Sequence, residues 1–144
     1  MRSEAVEPPF RVGPLLGIHH VRLPVADLAR SFAFFSDLLG YERDFDFPGA
    51  DGPSGWALRH AEGGPGIVLW RDPALAAATA GFPWFSIGLP SARAVADLAA
   101  ELDRRGIVHG GVQTAFVDVK LPFVHDPDGH LIGFYVMRRD DTVG

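Results

Sequence analysis

Apolar and polar positions along the chain switch between two periods, and the switches divide it into short elements. Leu16 to Leu23 is a β-prone apolar run, with Pro24 as its expected end. Asp27 can then accept from the free N–H groups of a first helical turn. Leu28, Phe32, Phe35 and Leu39 follow at helical spacing and predict one buried stripe, stopped by Gly40. Phe45 and Phe47 alternate with Asp44 and Asp46 and predict a strand. Trp56 to His60 and Ile67 to Trp70 flank Gly63-Gly64-Pro65-Gly66, a turn signal that predicts a hairpin.

The same order then recurs. Trp84 to Leu89 reads as a strand before Pro90. Ser91 can cap a helix carrying Val95, Leu98 and Leu102 on one face, stopped by Gly106. Strands follow around Val112 and from Val119 to Val124. Asp126-Pro127-Asp128-Gly129 is a tight turn into a last strand, His130 to Val136. Leu23-Pro24 and Gly40 match Leu89-Pro90 and Gly106 at one constant offset, so strand, helix and three strands appear twice. The expected organisation is a single α+β domain over residues 16–137, with βαβββ modules at about 16–71 and 82–137. A short Ala-rich helix is expected in the link, with tails at 1–15 and 138–144.

Composition narrows the function. At 144 residues and 47% hydrophobic, the chain is globular rather than disordered. A net charge of −5 without a Lys/Arg block argues against a nucleic-acid partner. No apolar run reaches the length of a membrane span, and the first residues lack a signal-peptide core. Cysteine is absent, which removes thiol nucleophiles and Cys-based zinc sites and fits a cytoplasmic location. No nucleophile motif is present. Asp126 and Asp128 read as turn formers. His60, His109, His125 and His130 are scattered, and the last two, flanking a turn, are expected to be exposed.

The stretch from Gly17-Ile-His-His-Val-Arg-Leu-Pro24 to Phe32-Ala-Phe-Phe-Ser-Asp-Leu-Leu-Gly40 resembles the opening of vicinal oxygen chelate proteins, the glyoxalase/bleomycin-resistance/dioxygenase superfamily. Phe123-Val-His-Asp-Pro-Asp-Gly-His-Leu-Ile-Gly-Phe-Tyr135 resembles their closing hairpin. The resemblance implies two tandem βαβββ modules forming a cupped mixed sheet around a cleft, and a homodimer, with the first strand of each module at an apolar interface. Activity does not follow from it, because the superfamily holds isomerases, dioxygenases, thiol transferases and drug-binding proteins.

Metal-using members of that superfamily hold a divalent ion with one side chain from each of four strands. By position this chain supplies His20, Val68, Trp84 and Gly133, or Ser86 in place of Trp84 if the register follows the glycines. Val and Gly have no donor atom and indole only donates, so His20 is the one retained metal ligand.

Strand alternation sends His20 and Arg22 to the cupped face, together with Val68 and Trp70, Trp84 and Ser86, and Gly133 and Tyr135. Trp70, Trp84 and Tyr135 would make an aromatic box for a flat or hydrophobic ligand, unless they are core or dimer contacts. The expected function is metal-free, cofactor-free binding of a small organic molecule, as in antibiotic-sequestering members. The alternative is an enzyme, a lyase, isomerase or dioxygenase, working through a divalent metal on other ligands or through His20 as base.

Overall fold

A computed structural model describes residues 6–114 and 119–137. The first module runs β1 (His20–Val25), α1 (Leu28–Ala33), β2 (Glu42–Phe47), β3 (Gly55–Arg59) and β4 (Gly66–Arg71). A link helix, α2 (Pro73–Ala78), leads to β5 (Pro83–Leu89), α3 (Ala92–Arg105), β6 (Gln113–Thr114), β7 (Val119–His125) and β8 (Leu131–Val136). The two modules form separate four-stranded sheets, ordered β1-β4-β3-β2 and β5-β8-β7-β6. In each, the module's first strand is an edge strand running parallel to its last, and the other pairings are antiparallel. The two βαβββ modules are those expected. Of the expected tails at 1–15 and 138–144, residues 1–5 and 138–144 fall outside the described residues, and residues 6–15 carry no helix or strand.

Caps fix the helices where the sequence placed them. Asp27 accepts from Arg30 N at 2.9 Å, Asp72 from Leu75 N at 3.0 Å and Ser91 from Ala94 N at 3.1 Å. Gly106 ends α3 in the left-handed conformation, at φ 70°. The first helix departs from expectation in its second half. Beyond Ala33 it widens into a π-helical turn, Phe34–Leu38. The extra residue per turn breaks the simple stripe, so Phe35 is buried while Phe32 and Leu39 are only half-buried. His60 closes this end, its Nε2 lying 2.7 Å from Leu39 O.

Two strand ends also differ. The first strand starts at His20 rather than Leu16, and Pro24 lies inside it. An edge strand tolerates a residue without an N–H group. In β5 a bulge between Pro83 and Phe85 interrupts the alternation.

One core serves both modules. Leu23, Phe35, Leu58, Ile67 and Leu69 of the first pack in a single cluster with Val95, Leu102, Leu121, Ile132 and Phe134 of the second. Asp128, in the β7–β8 turn, ties the modules at the start of α1. Its carboxylate accepts from Arg30 at 2.7 Å, from Ala26 N at 3.3 Å and from Ser31 Oγ at 3.4 Å. Each sheet therefore spends its helix-side face on the shared core, and its other face is left open.

Candidate functional site

The open face of the first sheet can be read from its register. Arg22 pairs with Val68, Val68 with Ala57, and Ala57 with Phe45. Pro24 pairs with Trp70, Trp70 with Gly55, and Gly55 with Phe47. Arg22, Val68, Trp70, Phe45 and Phe47 thus share this face with His20. The Phe45 and Phe47 rings lie 5.0 Å apart and the Phe47 and Trp70 rings 5.7 Å. The Arg22 guanidinium sits 4.6 Å from the Trp70 ring centroid. The result is an aromatic shelf of mutually tilted rings, at 60° and 65°, with a cation over the Trp70 ring, suited to ring contacts and to charge-assisted hydrogen bonding.

The shelf depends on Gly55. A Cβ there would stand 2.8 Å from Trp70 Cε3, so the missing side chain is what lets the indole lie against the sheet. His20 is exposed, and its Nδ1 lies 2.9 Å from Nδ1 of His19. Val68 is buried beneath the shelf.

On the second sheet, Ser86 stands directly opposite Gly133, and Gly88 opposite Tyr135. Ser86 thus faces Gly133 as Arg22 faces Val68 on the first sheet. A hollow of about 120 Å³ lies here, lined by Ser86, Gly133, Tyr135, Pro83, Pro122 and Phe123 among others. Phe123 adopts φ 60°, a left-handed conformation that costs a bulky residue free energy, within the irregularity between Leu121 and Val124 in β7.

Trp84 is not brought to this face. The β5 bulge leaves it edge-on to Phe82 at 5.4 Å and to His130 at 5.5 Å, packed against the core. Its indole N–H is buried with no partner. Trp70 and Tyr135 lie on different sheets, so within one chain the expected three-ring box does not assemble. Phe45, Phe47 and Phe123 were not foreseen as face residues. The alternation of Phe45 and Phe47 with Asp44 and Asp46 was the available signal; nothing in the sequence marks Phe123.

The exposure expected of His130 is corrected by the structure. It is fully buried, with Nδ1 3.1 Å from Asp126 Oδ2 and Nε2 2.9 Å from Thr79 Oγ1. Asp126 also accepts from the backbone N–H groups of Asp128 and His130, at 2.9 and 2.8 Å. Burial raises the Asp126 pKa above its ordinary value, against the opposing pull of these hydrogen bonds and of His130. Asp126, Asp128 and His130 bring ligand atoms within 4.8 Å of one another. Asp126 holds the turn, His130 joins it to Thr79 and Asp128 ties it to the start of α1, so this grouping reads as architecture.

The metal positions of the superfamily do not fit an ion here. His20 offers a nitrogen and Val68 offers nothing; of the two alternatives at the third position, Trp84 offers only an indole N–H and Ser86 only a neutral hydroxyl. A Cβ on Gly133 would meet Ser86 Oγ at 2.7 Å and Tyr135 Cε2 at 3.4 Å, so the space of a fourth ligand is partly filled. One imidazole and one hydroxyl fall short of the three protein ligands a catalytic site needs.

Comparison with known proteins agrees with this architecture. Among solved structures, a glyoxylase/bleomycin resistance protein/dioxygenase domain from Frankia sp. EAN1pec is 20% identical, with a TM-score of 0.70, covering 87% of this chain and 100% of that one. TnmS3, an antibiotic binding protein from Streptomyces sp. CB03234, is 18% identical with a TM-score of 0.68, covering 87% and 98%. The fosfomycin resistance protein FosX from Listeria monocytogenes is 14% identical with a TM-score of 0.69, covering 90% and 100%. At these identities the likeness is one of fold. No curated protein matches the chain. The family model for the Glyoxalase/Bleomycin resistance protein/Dioxygenase superfamily matches residues 17–134. With both sheets, both caps and both motifs in place, the chain belongs to that superfamily.

Proposed function

We propose that this protein binds a small aromatic or hydrophobic organic molecule, without a metal, in a cleft closed between two copies of the chain. The observation that carries this reading is the Phe47–Trp70–Arg22 shelf, on the sheet face where metal-using relatives place ligands. A flat ring stacked on Trp70 would bury apolar area on both partners. Arg22 would meet a carbonyl or anionic group at its edge, and His20 could donate or accept beside it.

Two copies are needed because a cleft has two walls. In one chain the two sheets turn their helix sides to a common core and hold their other faces apart. A second copy can set its Ser86–Tyr135 face against the first copy's shelf, giving two equivalent clefts about a twofold axis. TnmS3 is described as an antibiotic binding protein. Sequestration of an antibiotic in the cytoplasm is the use we propose for this cleft.

Elemental analysis of purified protein should find far less than one equivalent of Zn, Ni, Fe, Mn or Co per chain. A screen of aromatic natural products should yield binders that quench tryptophan fluorescence and raise the melting temperature. Trp70→Ala should weaken such a binder about 10-fold or more, as expected for a loss of ~1.4 kcal/mol. Unchanged affinity in both Trp70→Ala and Arg22→Ala would remove the shelf from the site.

A second reading is a cofactorless enzyme with His20 as general base. It is favoured by the contact with His19, which fixes the His20 ring on an open face. Under it, His20→Ala abolishes turnover of a bound compound while leaving its affinity intact.

A further inference from the structure

Positive side chains sort by the side of the sheets on which they stand. Off the open faces, Arg30, Arg43, Arg93, Arg104 and Arg105 each meet an Asp or Glu carboxylate. On the open faces the cations go without. Arg22 and Lys120 have no carboxylate partner among the described residues, and neither has Arg59, which shares the first sheet's open face with Ala57. Elsewhere Arg11, ahead of β1, and Arg71, at the end of β4, are the unpaired ones.

Two of the open-face cations are held alike, one on each sheet. The Arg22 guanidinium lies 4.6 Å from the Trp70 centroid, and Lys120 Nζ lies 6.0 Å from the centroid of Tyr135, its partner across β7–β8. A ring satisfies one side of a cation and leaves its N–H donors free for a ligand. The strands supply nothing to neutralise them. Every carboxylate on the strands of the first sheet lies on β2, and the described strands of the second sheet carry none. Because β2 is the edge strand opposite β1, those carboxylates stand three strand spacings from Arg22, ~14 Å. That exceeds the ~8 Å screening length at physiological salt.

We propose that the molecule taken up here is an organic anion, an aromatic or hydrophobic body whose carboxylate or other acidic group is met by Arg22 on one wall and Lys120 on the other. The inference rests on the cleft proposed above and chooses, between the carbonyl and anionic ligands allowed there, the anionic one. Closing the cleft over a neutral molecule strips water from two cations and gives them no counter-charge, and closing it over a cation adds repulsion. An acidic group removes that penalty, so the walls select by rejecting uncharged and basic ligands. The chain's net charge of −5 does not oppose this, because the nearest strand carboxylates lie beyond the screening length.

The test uses the full-length protein and two dyes, 1-anilinonaphthalene-8-sulfonate and N-phenyl-1-naphthylamine, which share a ring system and differ by the sulfonate. At low salt the sulfonate dye should bind about 10-fold tighter or more, quenching tryptophan fluorescence, and the preference should fall toward parity as NaCl rises to about 0.5 M. Arg22→Gln and Lys120→Gln should each cut the preference about 3-fold or more, while the neutral dye keeps its affinity within about 2-fold. Arg22→Lys, which keeps the charge, should retain most of the preference, and Arg93→Gln on α3 should leave both affinities unchanged. The two-dye comparison and its salt dependence are read on the unaltered protein, so they decide even where a variant fails to fold. Equal affinity for the two dyes, a preference indifferent to salt, or one that survives the double variant Arg22→Gln/Lys120→Gln overturns the anion proposal and leaves the ring-binding cleft standing. Binding of neither dye overturns both.

Discussion

Gly55→Ala tests whether the aromatic shelf is built on the absence of one methyl group. Gly55 stands opposite Trp70 in the β3–β4 pairing. Its added Cβ would lie 2.6 Å from Leu69 O and 2.8 Å from Trp70 Cε3. Neither neighbour is a flexible tip. The first is backbone in the middle of the sheet, and the second belongs to a ring held by Phe47 and Arg22. Relief requires the indole to lift or the strands to part, an overpacking cost of ~1–3 kcal/mol. Lifting the ring also forfeits the Arg22 contact, worth ~0.5–1 kcal/mol at an exposed site. Alanine restricts the unfolded chain and returns ~0.5–1 kcal/mol, which roughly cancels that second loss. The net expectation is destabilisation by ~1–3 kcal/mol. For a chain of this size that lowers the melting temperature by about 3–12 °C. Urea and thermal unfolding would be compared at one protein concentration, because a dimer's melting temperature depends on it. Labelling with 5-fluorotryptophan and following fluorine resonances would show whether Trp70 moves. Gly13→Ala is the control, with nothing within 4 Å of its Cβ and an expected effect inside ~0.5 kcal/mol. Gly55→Ala with unchanged stability and an unmoved Trp70 signal would refute the reasoning.

Three further outcomes follow from the geometry. Phe123 pays a left-handed backbone at φ 60°, so Phe123→Gly should be more stable than Phe123→Ala by ~1 kcal/mol in urea melts; the opposite order would mean the conformation is unstrained. Asp128→Ala strands the Ala26 N–H and leaves Arg30 without its carboxylate, and should cost ~1–3 kcal/mol of unfolding free energy, with Asp128→Asn recovering part. Asp126 has its pKa raised by burial, so the folded state holds its proton above the ordinary value of 3.8. Its contribution is fully present below that value and is lost as pH rises through the raised folded pKa. Unfolding free energy measured upward from pH 3.8 should therefore fall less steeply in Asp126→Asn than in wild type, and parallel slopes would contradict the raised pKa.

What the sequence made legible was local. Capping residues and stop glycines are short-range signals, and Asp27, Ser91, Gly40 and Gly106 placed both helices within a residue or two. The repeat of Leu-Pro and Gly at one offset, with the two quoted motifs, carried the fold. The misplacements have a common cause in irregular backbone, which periodicity cannot see. A bulge in β5 removed Trp84 from the face that strict alternation assigns it. A π-helical turn redistributed the first helix's apolar stripe, and a second irregularity in β7 brought up Phe123. His130 failed for a different reason. Its burial depends on Thr79, about fifty residues away in sequence and on the link between modules, and no local pattern encodes that partner.

The two sheets solve one problem in the same way, and the solution bears on what the protein can bind. On the first, Gly55 leaves room for the Trp70 ring; on the second, Gly133 leaves room for Ser86 and the edge of Tyr135, whose Cε2 would lie 3.4 Å from an added Cβ. Glycine in a strand weakens it unless something covers the gap, and a neighbouring aromatic ring is one known cover. Here the covering rings are themselves on the open faces. At position 133 this arrangement takes the place where metal-using relatives project a ligand. A carboxylate restored there would have to displace Ser86 Oγ before it could reach an ion, and it would still find Val68 opposite Arg22 with no donor to complete a set. The residues that leave the metal positions without donors also leave rings on both faces, Phe45, Phe47 and Trp70 on the first sheet and Tyr135 on the second. That combination is the support for the proposed organic ligand, with Arg22 over the Trp70 ring and Lys120 over the Tyr135 ring as the cations beside it.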